Sequence, residues 1–190
     1  VSDVPTMAAV GMLLDLSDLN QDAFVDGAFN SFTVNGVPYA MPFDLPVRVI
    51  YYNKQVLVKY GWTMEEAEAL PAKVAAGEFT WEDFVHLCAD VKNAGVCTWG
   101  LAHRPGSGND FLDVMQTLGG RYYDENGKLV FDEQGILRFL QMTYDNANTT
   151  KITPPNLNQL GWDTINKMVG NGEAFAYYGP MFSATYVAEA

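Results

Sequence analysis

The segment Gly36 to Lys54, GVPYAMPFDLPVRVIYYNK, contains three prolines and then a dense run of β-forming residues. From 47 to 52 successive side chains point to opposite faces, which is the period of a β-strand. Proline cannot donate a backbone hydrogen bond to a neighbouring strand, so Pro42 and Pro46 are expected at a bulge, an edge or the exit from a sheet. The segment therefore predicts a hinge strand, which leaves one sheet, bends and enters another.

The composition is that of a folded globular protein rather than a disordered one. Of 190 residues, 48% are hydrophobic and 18% are charged, so the chain can form one large domain or two small lobes with a buried core. The net charge is -12 and only 11 residues are lysine or arginine, too few for the clustered phosphate contacts of a nucleic-acid binder. The same acidity disfavours docking on an anionic membrane, and solubility is its simplest consequence.

Neither a membrane-spanning segment nor a disulfide scaffold is predicted. The sequence has no apolar run near the ~20 residues that a membrane-spanning helix needs. Val1 is followed directly by Ser-Asp-Val-Pro, without the pattern of a signal peptide, although mature or trimmed chains lack one too. Cys88 and Cys97 do not match a metal site; they either pair or are both buried thiols. Because Cys88 falls on the apolar face of a predicted helix, buried thiols are favoured.

Alternating helices and short apolar strands make this an α/β chain. We expect the end of a strand at 1–4 and a hairpin across Asn35-Gly36. Residues 146–158 are polar, contain Pro154-Pro155 and predict an extended connection on the surface. The periodicity further predicts helices at 54–60, 63–70, 81–94, 111–118, 136–144, 162–170 and 183–190, and strands at 96–102, 128–131 and 174–178.

The helix after Thr80 has the clearest signals in the chain. Thr80 can cap it, and the acidic residues of its first turn suit the positive end of the helix dipole. His86 lies on its polar face, which predicts a solvated histidine rather than a ligand. Its apolar residues fall at helical spacing and predict a stripe that packs on the core: Trp81, Phe84, Val85, Cys88 and Val91.

The motifs of common enzyme classes are absent from the sequence. It contains no Gly-x-Ser-x-Gly, no Gly-x-Gly-x-x-Gly and no phosphate-binding Gly-Lys-Ser/Thr, so we predict no catalytic residue, no cofactor and no metal ion. A carboxylate pair such as Asp44 and Asp110 in one cleft would suit glycoside hydrolysis. Since 23 residues are acidic, many such pairs arise by chance, and binding is favoured over catalysis.

Aromatic and polar residues of three loops suit a neutral polar ligand. Sugar rings stack an apolar face on aromatic side chains and offer hydroxyl groups to carboxylates, amides, arginine and the backbone. Loops at strand ends are where α/β proteins usually bind ligands, although core packing is the competing interpretation for each aromatic residue taken alone. The predicted ligand-binding residues are Phe43, Asp44, Arg48, His103, Arg104, Asn109, Asp110, Phe111, Tyr178 and Phe182.

Four segments of the chain carry the pattern of a known family. They are YAMPFD at 39–44 leading to IYYNK at 50–54, FTWEDF at 79–84, LGG at 118–120, and GEAFAYYGP at 172–180. In this order they resemble the extracellular solute-binding proteins of bacterial ABC importers, in the carbohydrate-binding, maltose-binding-protein-like branch. Family members usually have a tryptophan after the Gly-Pro, where this chain has Met181-Phe182. Phe182 is therefore the residue expected to stack on the sugar there.

The resemblance implies a type II periplasmic-binding-protein fold, in which two α/β lobes close over a ligand by hinge motion. Residues 1–45 would form a partial first lobe with the hinge strand, and 46–190 the second lobe. Family members extend before Val1 and after Ala190, so the resemblance also implies an internal fragment whose first lobe is largely incomplete.

The same resemblance implies a monomeric substrate-binding component of an ABC importer for a sugar or sugar-like polyol. Its partners would be that small molecule and the permease subunits, with no nucleic acid. It would lie in the periplasm or on the extracellular face of the membrane, with or without a lipid anchor. Two other hypotheses stay open: a carbohydrate-active enzyme on a similar two-lobed scaffold, and an interaction module whose cleft no longer binds.

Overall fold

The computed structural model of the protein describes residues 3–43, 47–103 and 109–189, without the side chains of 109–112. The chain divides into two compact units, Val1–Val47 and Arg48–Ala190. None of the helices among the described residues is long and apolar enough to cross a membrane. The assignment of 1–45 and 46–190 to two lobes of a binding protein stays a prediction.

The smaller unit is built from short elements that include a β-hairpin. Strands β1 (Thr33–Val34) and β2 (Val37–Pro38) pair antiparallel. Asn35 and Gly36 between them have φ of 53° and 83°. Positive φ at both central residues is typical of a type I′ turn, so the predicted hairpin is confirmed.

The first element of this unit differs from the prediction. Helix α1 (Val4–Ala9) begins where the sequence predicted the end of a strand at 1–4, of which residues 1 and 2 lie outside the described part. Pro5 lies in its first turn, where proline loses no hydrogen bond and its fixed φ suits a helix. A small aromatic contact supports this unit: Phe24 packs edge-on against Phe29, with ring centroids 5.0 Å apart.

A three-stranded sheet forms the centre of the larger unit. Its strands are β3 (Arg48–Tyr52), β4 (Trp99–His103) and β5 (Ala174–Pro180), in the order β3-β5-β4. The central strand β5 runs antiparallel to β3 and parallel to β4. All residues of β5 are buried, which fits its central position and its apolar sequence.

Backbone pairing sets where these strands begin. The strands predicted at 47–52 and 174–178 are confirmed. The strand predicted at 96–102 begins only at Trp99. The backbone N–H groups of Thr98 and Trp99 both donate to the Glu173 carbonyl just before β5, so pairing with β5 starts there.

Helices cover both faces of this sheet. One buried cluster packs the helices at 54–60, 64–75 and 81–93 on the face that carries Ile50 and Tyr52. A second cluster packs the helix at 162–170 on the face that carries Tyr51 and Tyr177. The described helices are α2 (Lys54–Tyr60), α3 (Met64–Ala75), α4 (Trp81–Asn93), α5 (Asn109–Thr117), α6 (Glu133–Tyr144), α7 (Trp162–Gly170) and α8 (Ala184–Ala188). The predicted helices are confirmed, with ends that differ by a few residues.

Helix α4 begins as the sequence predicts. The Thr80 hydroxyl oxygen accepts a hydrogen bond from the Asp83 N–H, and the Asp83 carboxylate accepts one from the Thr80 N–H. This reciprocal pair is a capping box, which satisfies two backbone donors at the helix start. The predicted core stripe is present as well, and three of its members are buried: Phe84, Cys88 and Val91.

Helix α3 continues past the proline that was predicted to end it. The prediction stopped the helix at 70, yet it runs to Ala75 with Pro71 inside. Proline has no N–H for the carbonyl four residues earlier, here that of Ala67. The Tyr52 hydroxyl donates to that carbonyl at 2.8 Å and replaces the missing bond. The sheet thereby allows a proline within the helix.

The connection 146–158 packs against the sheet, so its prediction as an extended surface segment is wrong. Ile152 is fully buried within it. The Ile152 carbonyl accepts backbone N–H bonds from Gly100 and Leu101 of β4, at 2.9 and 3.1 Å. An apolar residue of the connection thus covers the outer edge of β4.

The strand predicted at 128–131 is also absent from the described residues. In its place is an isolated bridge between Tyr123 and Leu129. The Asp124 carboxylate accepts backbone N–H bonds from Asn126 and Lys128, both at 2.9 Å. These bonds close a tight turn, which leaves little chain for an extended strand.

The two ends of the sheet carry different residues. We call the end where β4 and β5 finish and β3 begins the carboxyl end; it carries Arg48, His103 and Pro180. The opposite, amino end carries Tyr52 and Trp99. Ligand sites of α/β proteins usually lie at the carboxyl end of parallel strands.

Candidate functional site

Three of the predicted ligand-binding residues come together at the carboxyl end of the sheet. Tyr178 of β5 pairs with Ile50 on one side and with His103 on the other. Paired residues share a face of the sheet, and Arg48 lies two positions from Ile50, so its side chain is on that face too. The antiparallel insertion of β3 beside β5 is what brings residues 48, 103 and 178 together.

A cavity of about 450 Å³ opens beside these residues. Arg48, Ile50 and Tyr178 line its sheet side, and residues of α3, α4 and α5 line the rest. Most of the lining is apolar, and its polar groups are the Arg48 guanidinium and the hydroxyls of four residues: Tyr52, Tyr178, Thr80 and Thr117. A wall of this kind suits a ligand with an apolar face and a limited set of hydrogen-bonding groups.

Tyr178 forms part of the floor of this cavity rather than an open platform. Its side chain is only 8% exposed. Its ring meets the Trp81 indole edge-on, with centroids 5.9 Å apart and an interplanar angle of 89°. Trp81 was predicted only as a core residue, because its spacing in α4 is the spacing of a core stripe.

Arg48 is held at the rim by an acidic residue that the sequence did not single out. Its Nε lies 3.7 Å from Oδ2 of Asp113 on α5. The Arg48 side chain is 18% exposed, so its charge is largely withdrawn from water. Asp113 lies in the middle of α5 and is one of 23 acidic residues in the sequence. No local sequence pattern distinguishes it as the partner of Arg48.

Phe182 lies just beyond the carboxyl end of β5 and is exposed. It sits in a short turn, Met181–Ser183, with 63% of its surface accessible. The Tyr51 hydroxyl donates to the carbonyls of Pro180 and Met181, at 2.9 and 2.8 Å, and fixes this turn. Burial raises the pKa of Tyr51 above its ordinary value. Phe182 is thus presented on an anchored turn.

The remaining predicted site residues fall outside this group. Phe43 belongs to the smaller unit and is 99% exposed. Asp44 and Arg104 lie outside the described residues. Three further residues begin helix α5, but their side chains are not among those described, so the proposed Asp44–Asp110 pair also stays a prediction: Asn109, Asp110 and Phe111.

The amino end of the sheet is closed by one side chain. Asn53 Oδ1 accepts the N–H groups of Gln55 and Val56 and caps α2. Its Nδ2 donates to the carbonyls of Val169 and Gly170 at the end of α7, at 2.8 and 3.1 Å. The asparagine of the Tyr-Tyr-Asn-Lys motif therefore has a structural role.

The cysteines are unpaired thiols, as the favoured prediction has it, but only one of them is buried as predicted. Cys88 is buried and Cys97 is half-buried. Burial raises the pKa of Cys97 to about 11 and raises that of Cys88 well above its ordinary value. His86 is exposed on α4. Among the described residues, no group of three or more His, Cys, Asp or Glu side chains could hold a metal ion.

Comparison with known proteins gives the chain its family. Residues 1–189 match the model of the bacterial extracellular solute-binding proteins. The chain belongs to this family. The arabinooligosaccharide-binding protein of Halalkalibacterium halodurans is 29% identical over 145 residues, which cover 73% of this chain and 29% of that protein.

Two solved structures of sugar-binding proteins share the fold. Maltose-bound T. maritima MalE3 superposes with a TM-score of 0.73 at 25% identity, over 95% of this chain and 44% of that one. The GacH receptor of Streptomyces glaucescens superposes with a TM-score of 0.77 at 19% identity, over 100% of this chain and 46% of that one. The predicted α/β class and type II periplasmic-binding-protein fold are confirmed. The chain spans less than a third of that curated relative and less than half of both solved structures.

Proposed function

We propose that this protein is the substrate-binding component of an ABC importer, which captures a sugar or sugar-like polyol without chemical conversion. The observation that carries the proposal is the aromatic cavity at the carboxyl end of the sheet, with Arg48 at its rim and Phe182 exposed nearby. Membership of the solute-binding family supports the same conclusion.

Recognition in this proposal combines stacking with hydrogen bonding. Phe182 offers a free aromatic face to a sugar ring, and Tyr178 contributes apolar wall. Arg48 donates hydrogen bonds to ligand hydroxyls, and Asp113 holds its guanidinium. We propose that the other predicted residues also contact the ligand: Phe43, Asp44, His103, Arg104, Asn109, Asp110 and Phe111.

The ligand class is proposed from the wall and from the relatives. The relative in H. halodurans is named for arabino-oligosaccharides, and the T. maritima structure holds maltose. Both are neutral chains of sugar rings, which suit an apolar cavity with few polar groups. We therefore propose a neutral oligosaccharide as the first ligand to test.

The proposal extends to partners and location. Closure of the lobes 1–45 and 46–190 over the ligand would present a surface to permease subunits. The protein would act as a monomer in the periplasm or on the extracellular face of the membrane, without binding nucleic acid. Family membership supports the location.

Isothermal titration calorimetry with arabinotriose, maltotriose and mannitol tests the proposal. We expect at least one of these to bind, and Phe182→Ala to weaken it by about ten-fold, as loss of an aromatic stacking contact does. Met181→Ala is the matched control: Met181 is similarly exposed in the same turn, and we expect a change below about two-fold.

Two results would contradict this function. One is the absence of binding to any sugar or polyol by a protein whose circular dichroism shows that it is folded. The other is turnover: chromatography of the recovered ligand should return the sugar unchanged, and cleaved or transferred products would favour the carbohydrate-active enzyme instead.

A further inference from the structure

We infer that Trp81 is a positioning residue of the candidate site, which acts on the ligand through Tyr178 and reports ligand binding by its fluorescence. The inference rests on the proposed function. It concerns a residue whose sequence pattern predicted core packing alone.

The indole of Trp81 is placed between the site and the helix layer behind it. On one side its ring meets Tyr178 edge-on at 5.9 Å, and on another it packs against Phe84 at 5.5 Å. Its Nε1–H donates to the Met142 sulfur of α6 at 3.0 Å. These three contacts fix the indole, and the indole in turn limits where the Tyr178 ring can lie.

Trp81 also lines two cavities. One is the 450 Å³ cavity that Arg48 and Tyr178 line. The other, of about 600 Å³, lies between α4 and α6 and is lined by Met142. Because open space lies on both sides of the indole, its orientation depends on a few contacts rather than on dense packing all round. A ligand bound in the first cavity therefore changes the surroundings of the indole, and its fluorescence should report that change.

The other face of the same strand carries a matching pair. Trp162 of α7 meets Tyr177 at 6.0 Å and 71°, also edge-on. Tyr177 is fully buried in the cluster behind the sheet, on the face away from Tyr178. The two pairs have the same chemistry and nearly the same geometry, but only the Trp81 pair borders the candidate cavity.

The positions of the four tryptophans make Trp81 the expected optical reporter. Trp99 and Trp162 pack with the cluster on the far face. Trp62 lies beneath the Lys73 ammonium, 5.8 Å from its ring centre. Trp81 lines the cavity, so a bound sugar should change the emission of this tryptophan most.

The test compares Trp81→Phe with Trp162→Phe, which remove the same group from equivalent pairs. With arabinotriose or maltotriose, whichever binds the unaltered protein, we expect Trp81→Phe to weaken binding by about two- to ten-fold. We also expect it to abolish the ligand-induced change in tryptophan emission. Trp162→Phe should keep the emission change and bind within about two-fold of the unaltered protein.

A role confined to packing would lower thermal stability in both variants without separating them in affinity or emission. Equal affinity in the two variants, or loss of the emission change in Trp162→Phe alone, overturns the inference. If the folded, unaltered protein binds no sugar or polyol at all, the proposed function itself fails, which is a distinct result from binding that does not depend on Trp81.

Met142→Leu keeps the test decisive should Trp81→Phe not fold. Leucine replaces the volume of methionine but offers no acceptor to the indole N–H. We expect a smaller ligand-induced emission change, and binding weakened by more than the roughly two-fold range allowed for Trp162→Phe. Unchanged affinity and emission in Met142→Leu overturn the inference.

Discussion

At the amino end of the central sheet, the side chain of Asn53 joins α2 to the end of α7 through four hydrogen bonds. At the carboxyl end, the Tyr51 hydroxyl donates to the turn after β5. At the amino end, both the amide oxygen and the amide nitrogen of Asn53 form hydrogen bonds within the protein. At the carboxyl end, Arg48 pairs with Asp113 and lines the cavity, and Phe182 is exposed to solvent. We propose on this basis that the amino end mainly stabilises the larger unit and that the carboxyl end binds the ligand.

The largest effect is expected from breaking the amino end with Asn53→Ala. This variant loses the cap of α2 and leaves the Val169 and Gly170 carbonyls without their side-chain donor. We expect the free energy of unfolding to fall by about 2 to 4 kcal/mol, measured by urea titration. Asn148→Ala, which removes a single exposed donor to the Tyr144 carbonyl, should cost less than about 1 kcal/mol. Equal losses in the two variants would contradict a special role of Asn53.

A smaller effect on stability is expected at the carboxyl end from Tyr51→Phe. The variant removes the donor to Pro180 and Met181, and we expect a loss of about 1 kcal/mol. Because the turn that carries Phe182 loses its anchor, the sugar affinity of the folded protein should also fall. A loss of stability alone would leave that affinity unchanged. Tyr186→Phe, at an exposed tyrosine of α8, serves as the control and should change neither quantity. Unaltered sugar affinity in Tyr51→Phe would show that the turn needs no anchor.

Helices α3 and α4 both begin with a capping box, Thr63 with Glu66 and Thr80 with Asp83, and these boxes predict an acid-dependent contribution to stability. Backbone N–H donors from Thr80 and Thr63 lower the pKa of Asp83 and of Glu66 below their ordinary 3.8 and 4.5. A carboxyl whose pKa is lower in the folded state stabilises fully above its unfolded pKa, and this stabilisation is lost as the pH falls through the folded pKa.

The corresponding measurement is the urea midpoint between about pH 6 and about pH 2. Asp83→Asn keeps an acceptor but cannot titrate, so the decline of stability in acid should become shallower. Glu82→Gln, in the same turn but outside the capping box, should follow the unaltered protein. If stability declines in acid as steeply in Asp83→Asn as in the unaltered protein, Asp83 does not contribute to the acid dependence.

The rate at which Cys88 and Cys97 react with a labelling reagent measures how closed the amino end of the sheet is. This experiment tests access of the reagent and not stability. The raised pKa values of Cys88 and Cys97 keep both as thiols at neutral pH. Labelling by a disulfide reagent at about pH 8 should be about a hundred-fold slower in the folded than in the unfolded protein. Unfolding in guanidinium should release two reactive thiols, and Cys97→Ser should release one. Rapid labelling of the folded protein would mean that this end opens readily.

Sequence reasoning succeeded where the signals are local. The alternation of 47–52, the Asn35-Gly36 turn and the Thr80 cap each depend on neighbouring residues, and each was predicted. It failed where a distant group decides the outcome. Helix α3 passes Pro71 because Tyr52 supplies a hydroxyl from the sheet. The burial of Ile152 depends on its pairing with β4, about fifty residues earlier.

The candidate site shows the same division. Arg48, His103 and Tyr178 were chosen as ligand-binding residues from their motifs, and the sheet brings them together. Asp113 was missed because its contact with Arg48 joins two distant segments. Trp81 was assigned to the core alone, since helical spacing cannot tell a residue that only packs from one that packs and also lines a cavity.

The Ile152 carbonyl also affects how molecules of this protein meet one another. An outermost strand with unsatisfied backbone N–H groups is a template on which a second chain can add a strand, and such addition leads to aggregation. By accepting the N–H groups of Gly100 and Leu101, Ile152 occupies donors that an incoming strand would need. The short segment around Ile152 therefore protects this side of the sheet against intermolecular β-pairing.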